Sequence, residues 1–194
     1  MKSEELENGD LLVIVRKGPG EILLSDLLAS EGSMPDVHAA WLCSGLMNIC
    51  AWLEYAGLVH GAISPENILI DPETHAVRLA AGWAFATKVG QHPVALPERT
   101  LGLLPRLSLT NETVDTDCDR ELVRKTLREA LGDPTGTNGA VFALPAIIST
   151  WINCPSAGSA VDDYAQWCAA LEKGWGGRRF VQYPVQVADV YRVA

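Results

Sequence analysis

The sequence contains no uninterrupted apolar run long enough to span a bilayer, no CxxC pair, no internal repeat and no low-complexity stretch. A membrane-spanning helix needs about 20 consecutive apolar residues, so none is expected. Positive charge is scarce: 15 Lys plus Arg stand against 24 Asp plus Glu, for a net charge of -9. A phosphate-backbone binder needs the opposite balance, and neither a nucleic-acid nor a membrane partner is expected. The five cysteines, Cys43, Cys50, Cys118, Cys154 and Cys168, are scattered and odd in number. They fit neither a zinc site nor a disulfide framework, so they read as buried reduced thiols, and no metal or other cofactor is expected. The acidic opening, Met-Lys-Ser-Glu-Glu-Leu-Glu, matches neither a secretory signal nor an arginine-rich transit peptide. A cytoplasmic, intracellular location is the expectation.

What is present is the material of one globular domain. The chain has 194 residues, 48% of them hydrophobic and 20% charged, which is too apolar for disorder and the right length for a single core over residues 1-194. Leu11 to Arg16 is a short β-branched run ending at Gly18-Pro19-Gly20, a strand and a turn. Leu23 to Ala29 predicts a short amphipathic helix, and Ser33-Met34-Pro35-Asp36 carries a helix-start signature. From there to about Ala56, Leu42, Leu46, Ile49 and Leu53 form one stripe with Trp41, Met47, Cys50 and Ala51 beside it, which predicts a central buried helix. Two strands, Ile68 to Asp71 and Val77 to Ala80, are joined by Pro72-Glu73-Thr74-His75 as a hairpin. Residues 81-116 show little periodicity, which marks a functional segment or one folded in small pieces. Helices are predicted from Asp117 to Leu131, from Leu144 to Trp151, and from Ser159 to about Gly174. The last has Val161, Tyr164, Ala165, Cys168 and Leu171 facing inward. The fold class is mainly α, with a small β component (α+β).

The segment Leu58-Val59-His60-Gly61-Ala62-Ile63-Ser64-Pro65-Glu66-Asn67-Ile68-Leu69-Ile70 resembles the catalytic loop of protein kinases. That loop has an Asp base followed five residues later by a magnesium-binding Asn. His60, Pro65, Glu66 and Asn67 match in type and spacing, whereas Ala62 stands at the base position and Ser64 where many kinases keep a lysine. Val77-Arg78-Leu79-Ala80-Ala81-Gly82-Trp83 aligns with the strand entering the family's D-F-G, with Ala81 at the magnesium-holding Asp. Ala95-Leu96-Pro97-Glu98 is similar to the A-P-E element with one residue inserted. Asp117 or Asp119 stands where the family has an Asp that hydrogen-bonds the catalytic loop from below. The resemblance covers most of residues 10-131. It implies a kinase-like carboxy-terminal lobe with a short β-hairpin at the catalytic loop and little or no amino-terminal lobe. Residues 10-20 would then be the hinge strand and hinge, and 81-116 an activation-segment-like region. Lys17 is not expected to be the family's strand lysine, because two predicted helices already fill the interval from it to His60.

Phosphoryl transfer leaves a protein mainly positioning and charge stabilisation, so carboxylates that hold magnesium and orient the nucleophile are the catalyst. An alanine does neither. His60, Ala62, Ser64, Asn67 and Ala81 are therefore degenerate catalytic positions, and nucleotide binding is not expected. His60 reads as a packed histidine and Asn67 as a loop cap through side-chain to backbone bonds. The expected function is that of a catalytically inactive pseudokinase: a protein-binding, scaffold or regulatory module with a protein partner or self-association. The alternatives are an atypical phosphotransferase completed by a partner chain, and a structural component of a larger assembly.

Candidate interaction residues are Leu11, Val13 and Val15, on a strand expected to offer an unpaired apolar edge, together with Trp83, Trp175, Arg178 and Arg179. The tail from Phe180 to Ala194 is partly strand-like in pattern and is one candidate to cover that edge. Trp83 and Trp175 lie beside glycines and are read as exposed anchors, whereas Trp41, Trp52, Trp151 and Trp167 lie on helical faces and are read as core. Gly174-Trp175-Gly176-Gly177-Arg178-Arg179-Phe180 is read as a loop whose arginines pair with neighbouring carboxylates, rather than as an anion cradle.

Overall fold

A computed structural model of the chain describes residues 2-9, 11-103, 113-177 and 179-191. It is a mixed α+β fold. The elements run β1 (Lys2–Glu5), β2 (Leu11–Ile14), β3 (Ile22–Leu23), α1 (Leu24–Glu31), α2 (Asp36–Tyr55), β4 (Leu58–Val59), β5 (Ile68–Asp71) and β6 (Ala76–Leu79). They continue with β7 (Thr87–Lys88), α3 (Glu98–Leu101), α4 (Asp117–Ala130), α5 (Ala146–Asn153), α6 (Ala160–Trp175) and α7 (Val187–Val190).

The stripe read from the sequence puts α2 at the centre. Leu42, Cys43, Leu46, Met47, Cys50 and Leu53 are buried, and α2 packs against both α4 and α6 while α5 lies on α6. Gly45 sits in the middle of α2, where a glycine costs helix stability. Its place is set by packing, because a Cβ there would come within 2.6 Å of Val77 on β6. This contact seats the β5–β6 hairpin directly on the central helix. Strands β3, β5 and β6 form one antiparallel sheet in the order 3-5-6, with Ile22 opposite Ile70 and Ile68 opposite Leu79.

The hairpin turn is closed by Asp71, whose Oδ1 accepts the N–H groups of Glu73 and Thr74 at 3.0 and 3.2 Å. His75 follows with φ +59°, a left-handed conformation that His tolerates better than a β-branched residue. That conformation brings its ring onto Trp41, stacked at 4.6 Å.

The helix α4 carries the expected apolar face, with Leu122, Val123 and Leu127 buried. It also buries cations. Arg124 is paired to Asp163 at 2.7 and 2.9 Å, with both side chains almost wholly buried, and its guanidinium lies 3.9 Å over the Trp151 ring. One arginine thereby joins α4, α5 and α6. Buried pairs are roughly neutral against an apolar replacement, but losing one partner costs about 3–5 kcal/mol.

Several expectations are corrected. The helix at Asp36 starts as predicted, but Pro35 is its N-cap and no side chain caps it. In α6 the capping box of Ser159 and Asp162 forms as read, yet the inward face is Ala160, Asp163, Trp167, Ala170 and Leu171. Val161 is exposed and Ala165 points to solvent. The buried Arg124–Asp163 pair and the packing of Trp167 on Trp151 set this rotation of the helix. Trp52 is exposed, being on the outer side of α2, and Cys154 is exposed just past the end of α5.

The strand β2 is shorter than predicted and is not unpaired: β1 runs antiparallel to it, with Ser3 opposite Val13 and Glu5 opposite Leu11. The described part of the tail, to Tyr191, forms no strand and does not pair with β2. It stays extended past Tyr183, whose ring stacks on His38 at 4.2 Å, and ends in the single turn of α7. Of the weakly periodic segment 81-116, the described part holds a short turn at Trp83–Phe85, β7 and α3. The remainder, 104-112, lies outside the described residues.

Candidate functional site

The loop between β4 and β5 is tied from below, from above and from one side, almost entirely through its own backbone. From below, Asp119 in the first turn of α4 accepts two amide protons, from His60 N at 2.7 Å and from Gly61 N at 2.8 Å. Of the two carboxylates Asp117 and Asp119, Asp119 is the one shown bonding the loop. The Asp119 carboxyl is fully buried, and burial raises its pKa from 3.8 to about 6 even though the two amide bonds favour the charged form.

From above, His60 and Asn67 link the loop to the segment after β6. The His60 ring accepts from Ala62 N at Nδ1 (3.3 Å), and its Nε2 meets the Ala81 carbonyl at 3.0 Å. Both contacts are satisfied by one neutral tautomer, with the proton on Nε2. Burial accordingly depresses the His60 pKa from 6.5 to about 4, with the bond to Ala81 opposing the shift. Trp83 covers the ring edge-on at 4.7 Å, and its indole N–H donates to the Leu79 carbonyl.

Asn67 donates from Nδ2 to the Ala62 carbonyl at 2.7 Å, and its backbone carbonyl accepts from Ala80 N at 2.8 Å. It caps the loop as the sequence suggested. Gly82, at φ +83°, fits into this junction because it lacks a side chain: a Cβ there would lie 2.8 Å from His60 Cε1 and 3.1 Å from the Ala62 Cβ. Ser64 is buried in an extended conformation and opens the turn Pro65–Asn67.

The side tie was not legible in the sequence. Thr100 Oγ1 donates to the Gly61 carbonyl at 2.6 Å and Arg99 Nε to the Ile63 carbonyl at 3.3 Å. Arg99 is in turn held by Glu129 and Thr126 of α4. Only Pro97-Glu98, which opens α3, signalled that something closes here.

Beside Ala81 lies a cleft of about 430 Å³ lined by Lys17, Asp26, Glu66, Leu69 and Tyr191, among others. Tyr191 is pinned in it: its hydroxyl accepts from Leu23 N at 2.9 Å and bonds Asp26, and the Lys17 ammonium sits 4.5 Å over the ring. No group of three or more potential metal ligands occurs among the described residues.

The interaction candidates do not converge. Trp83 belongs to the loop, with 43% of its surface exposed. Val13 is exposed on the β1–β2 ribbon and Val15 is half-buried just beyond it, while Leu11 is described only by its strand position. Trp175 is half-buried against the core rather than an exposed anchor, because α6 extends through it. It lines a separate cavity together with Arg179. Arg178 lies outside the described residues. Arg179 is exposed and, against expectation, has no carboxylate partner among the described residues.

No family model matches this chain, and no curated protein matches it. Among the described residues no helix is long and apolar enough to cross a membrane.

The two buried titratable groups of the loop act in opposite directions on stability. Asp119, raised to about 6, contributes fully below its unfolded value of 3.8, and this contribution is lost as pH rises through about 6. His60, depressed to about 4, contributes above its unfolded value of 6.5 and loses that contribution as pH falls through about 4. Replacing Asp119 by Asn removes the first slope and leaves the second. Urea midpoints of Asp119→Asn should therefore rise more steeply with pH between about 4 and about 6 than those of the wild type, and parallel profiles would contradict the assignment.

Proposed function

We propose that this chain is a kinase-like carboxy-terminal lobe that performs no phosphoryl transfer and acts by binding protein. The observation that carries the reading is that the ties at the loop run through the backbone of Ala62 and Ala81: the Ala62 N–H and carbonyl, and the Ala81 carbonyl. A methyl at either position leaves the scaffold complete while removing the carboxylate that chemistry would need. Magnesium takes octahedral oxygen ligation that normally includes carboxylates, and Asn67, whose Nδ2 holds the Ala62 carbonyl, offers one neutral amide oxygen. The neutral His60 has both ring nitrogens engaged and serves as a strut. An atypical phosphotransferase stays in play through one observation: Asp26 and Glu66 line the cleft beside Ala81.

Magnesium and ATP separate the two readings. Purified protein should incorporate no phosphate into itself or a generic protein substrate, and millimolar Mg-ATP should leave its melting temperature unchanged. Phosphate incorporation that disappears on Asn67→Ala or Glu66→Gln would overturn the reading.

The surface that suits a protein partner is the β1–β2 ribbon. Among the described residues it has two strands, whose outer edges pair with no further strand. Leu12, Val13 and Ile14 remain 44%, 47% and 48% exposed. Exposed apolar edge strands of this kind pair with other chains. Val13→Glu with Val15→Glu should abolish self-association or partner recovery, read by light scattering and pull-down, while the far-UV spectrum and melting temperature hold. Unchanged mass and unchanged recovery in the folded variant would sink the assignment of this surface.

A further inference from the structure

On the face formed by α2, α6 and the tail there is a second cavity, of about 590 Å³, which shares no lining residue with the cleft beside Ala81. Its walls are apolar and largely aromatic: Val37 and Trp41 from α2, Trp175 from α6, and Phe180 and Val181 from the tail. The walls are held in place before any ligand arrives. His75 is sandwiched between two of them, stacked at 4.6 Å on Trp41 and at 4.4 Å on Phe180. The Ser44 hydroxyl, also in the lining, is spent on structure, accepting from Trp167 Nε1 at 3.0 Å and donating to the Ala40 carbonyl at 2.9 Å. The charged group in the lining is Arg179, whose guanidinium has no carboxylate partner among the described residues.

We propose that this cavity is a binding site for a small aromatic monoanion, with the ring system packed against the cavity-facing sides of Trp41, Trp175 and Phe180 and the carboxylate paired to Arg179. The volume lies within the roughly 300–1,000 Å³ typical of small-molecule sites, which combine apolar walls with a few placed polar groups. The recess between the two helices and the tail is half open and of a size that suits a compact ligand. Charge complementarity selects the anion. The chain as a whole carries -9, so an anion is favoured where a local cation has no carboxylate partner among the described residues, as beside Arg179. A guanidinium also matches a carboxylate in bidentate geometry. Because the Trp41, His75 and Phe180 stack is already built, little ordering remains to be done on binding. This site is independent of the loop around His60 and of any chemistry there.

The test is titration of the full chain with 2-naphthoate, followed by tryptophan fluorescence and by calorimetry. Saturable binding at one site is expected, with quenching from Trp41 and Trp175. Arg179→Ala should weaken it about tenfold, the scale of one exposed charge-assisted contact, and Arg179→Lys should restore part of the loss. The neutral 2-naphthamide should bind the wild type about tenfold more weakly than the acid and be indifferent to Arg179→Ala. Val37→Trp, at a position 39% exposed on the cavity wall, should block both ligands without changing the melting temperature. The proposal is overturned by absence of saturable binding up to millimolar naphthoate, or by equal affinity in Arg179→Ala. A wild-type dimer that Val37→Trp converts to monomer would also overturn it, since a second copy would then be the occupant.

Discussion

The carboxylate of Asp119 receives two consecutive backbone N–H groups from the loop above it, at 2.7 and 2.8 Å, in a site from which water is excluded. Buried amides left without a partner cost about 1–3 kcal/mol each, so this single side chain fixes where residues 60 and 61 lie. The rest of the junction follows from that placement. With His60 held at its amide, its ring reaches the Ala81 carbonyl, Gly82 must lack a side chain, and Trp83 is left to cover the ring.

This arrangement separates shape from chemistry. The hydrogen bonds to positions 62 and 81 among the described residues are made to backbone atoms, so a methyl at either position keeps the loop in place. Side-chain ties come instead from residues around them: Asn67, Thr100, Arg99 and Asp119. A loop with this construction retains its form when the carboxylates of phosphoryl transfer are absent, which is the physical content of the proposed binding role. The tail adds a second use of the same frame. It anchors one end in the cleft beside Ala81 through Tyr191, and it builds a cavity wall on the opposite side of His75 through Phe180.

The central helix, the β5–β6 hairpin and, to within a residue, the extents of α4 and α6 were legible in the sequence because each depends on local signals: apolar period, a turn segment, a capping pair. The helix α5, read from Leu144 to Trp151, starts and ends two residues later, at Ala146 and Asn153. Asp119 was legible only as one of two carboxylates two residues apart, since which one points under the loop depends on how α4 is rotated. The apolar face of α4 holds the signal that decides it: Asp119 precedes Leu122 and Val123 by three and four residues and so shares their buried side. The burial of Arg124 carries no such signal, since it depends on Asp163, distant in sequence, meeting it in the core. The same pair turned the inward face of α6 away from Val161. The partner of β2 was missed for a different reason: Lys2–Glu5 is polar, and its strand state comes from pairing with β2 rather than from its own pattern. Thr100 and Arg99 were invisible because their partners are loop carbonyls, which carry no sequence signature.

Amide hydrogen exchange at His60 and Gly61, resolved by NMR, bears most directly on the claim that Asp119 holds the loop through its backbone. The account predicts that both amides open only with global unfolding, so their exchange free energies match the stability measured in urea. It also predicts that in Asp119→Ala these two amides lose protection selectively, while those of the α2 core keep theirs relative to the variant's own global stability. Fast exchange of His60 and Gly61 in the wild type, or a uniform loss across the chain in the variant, would contradict it.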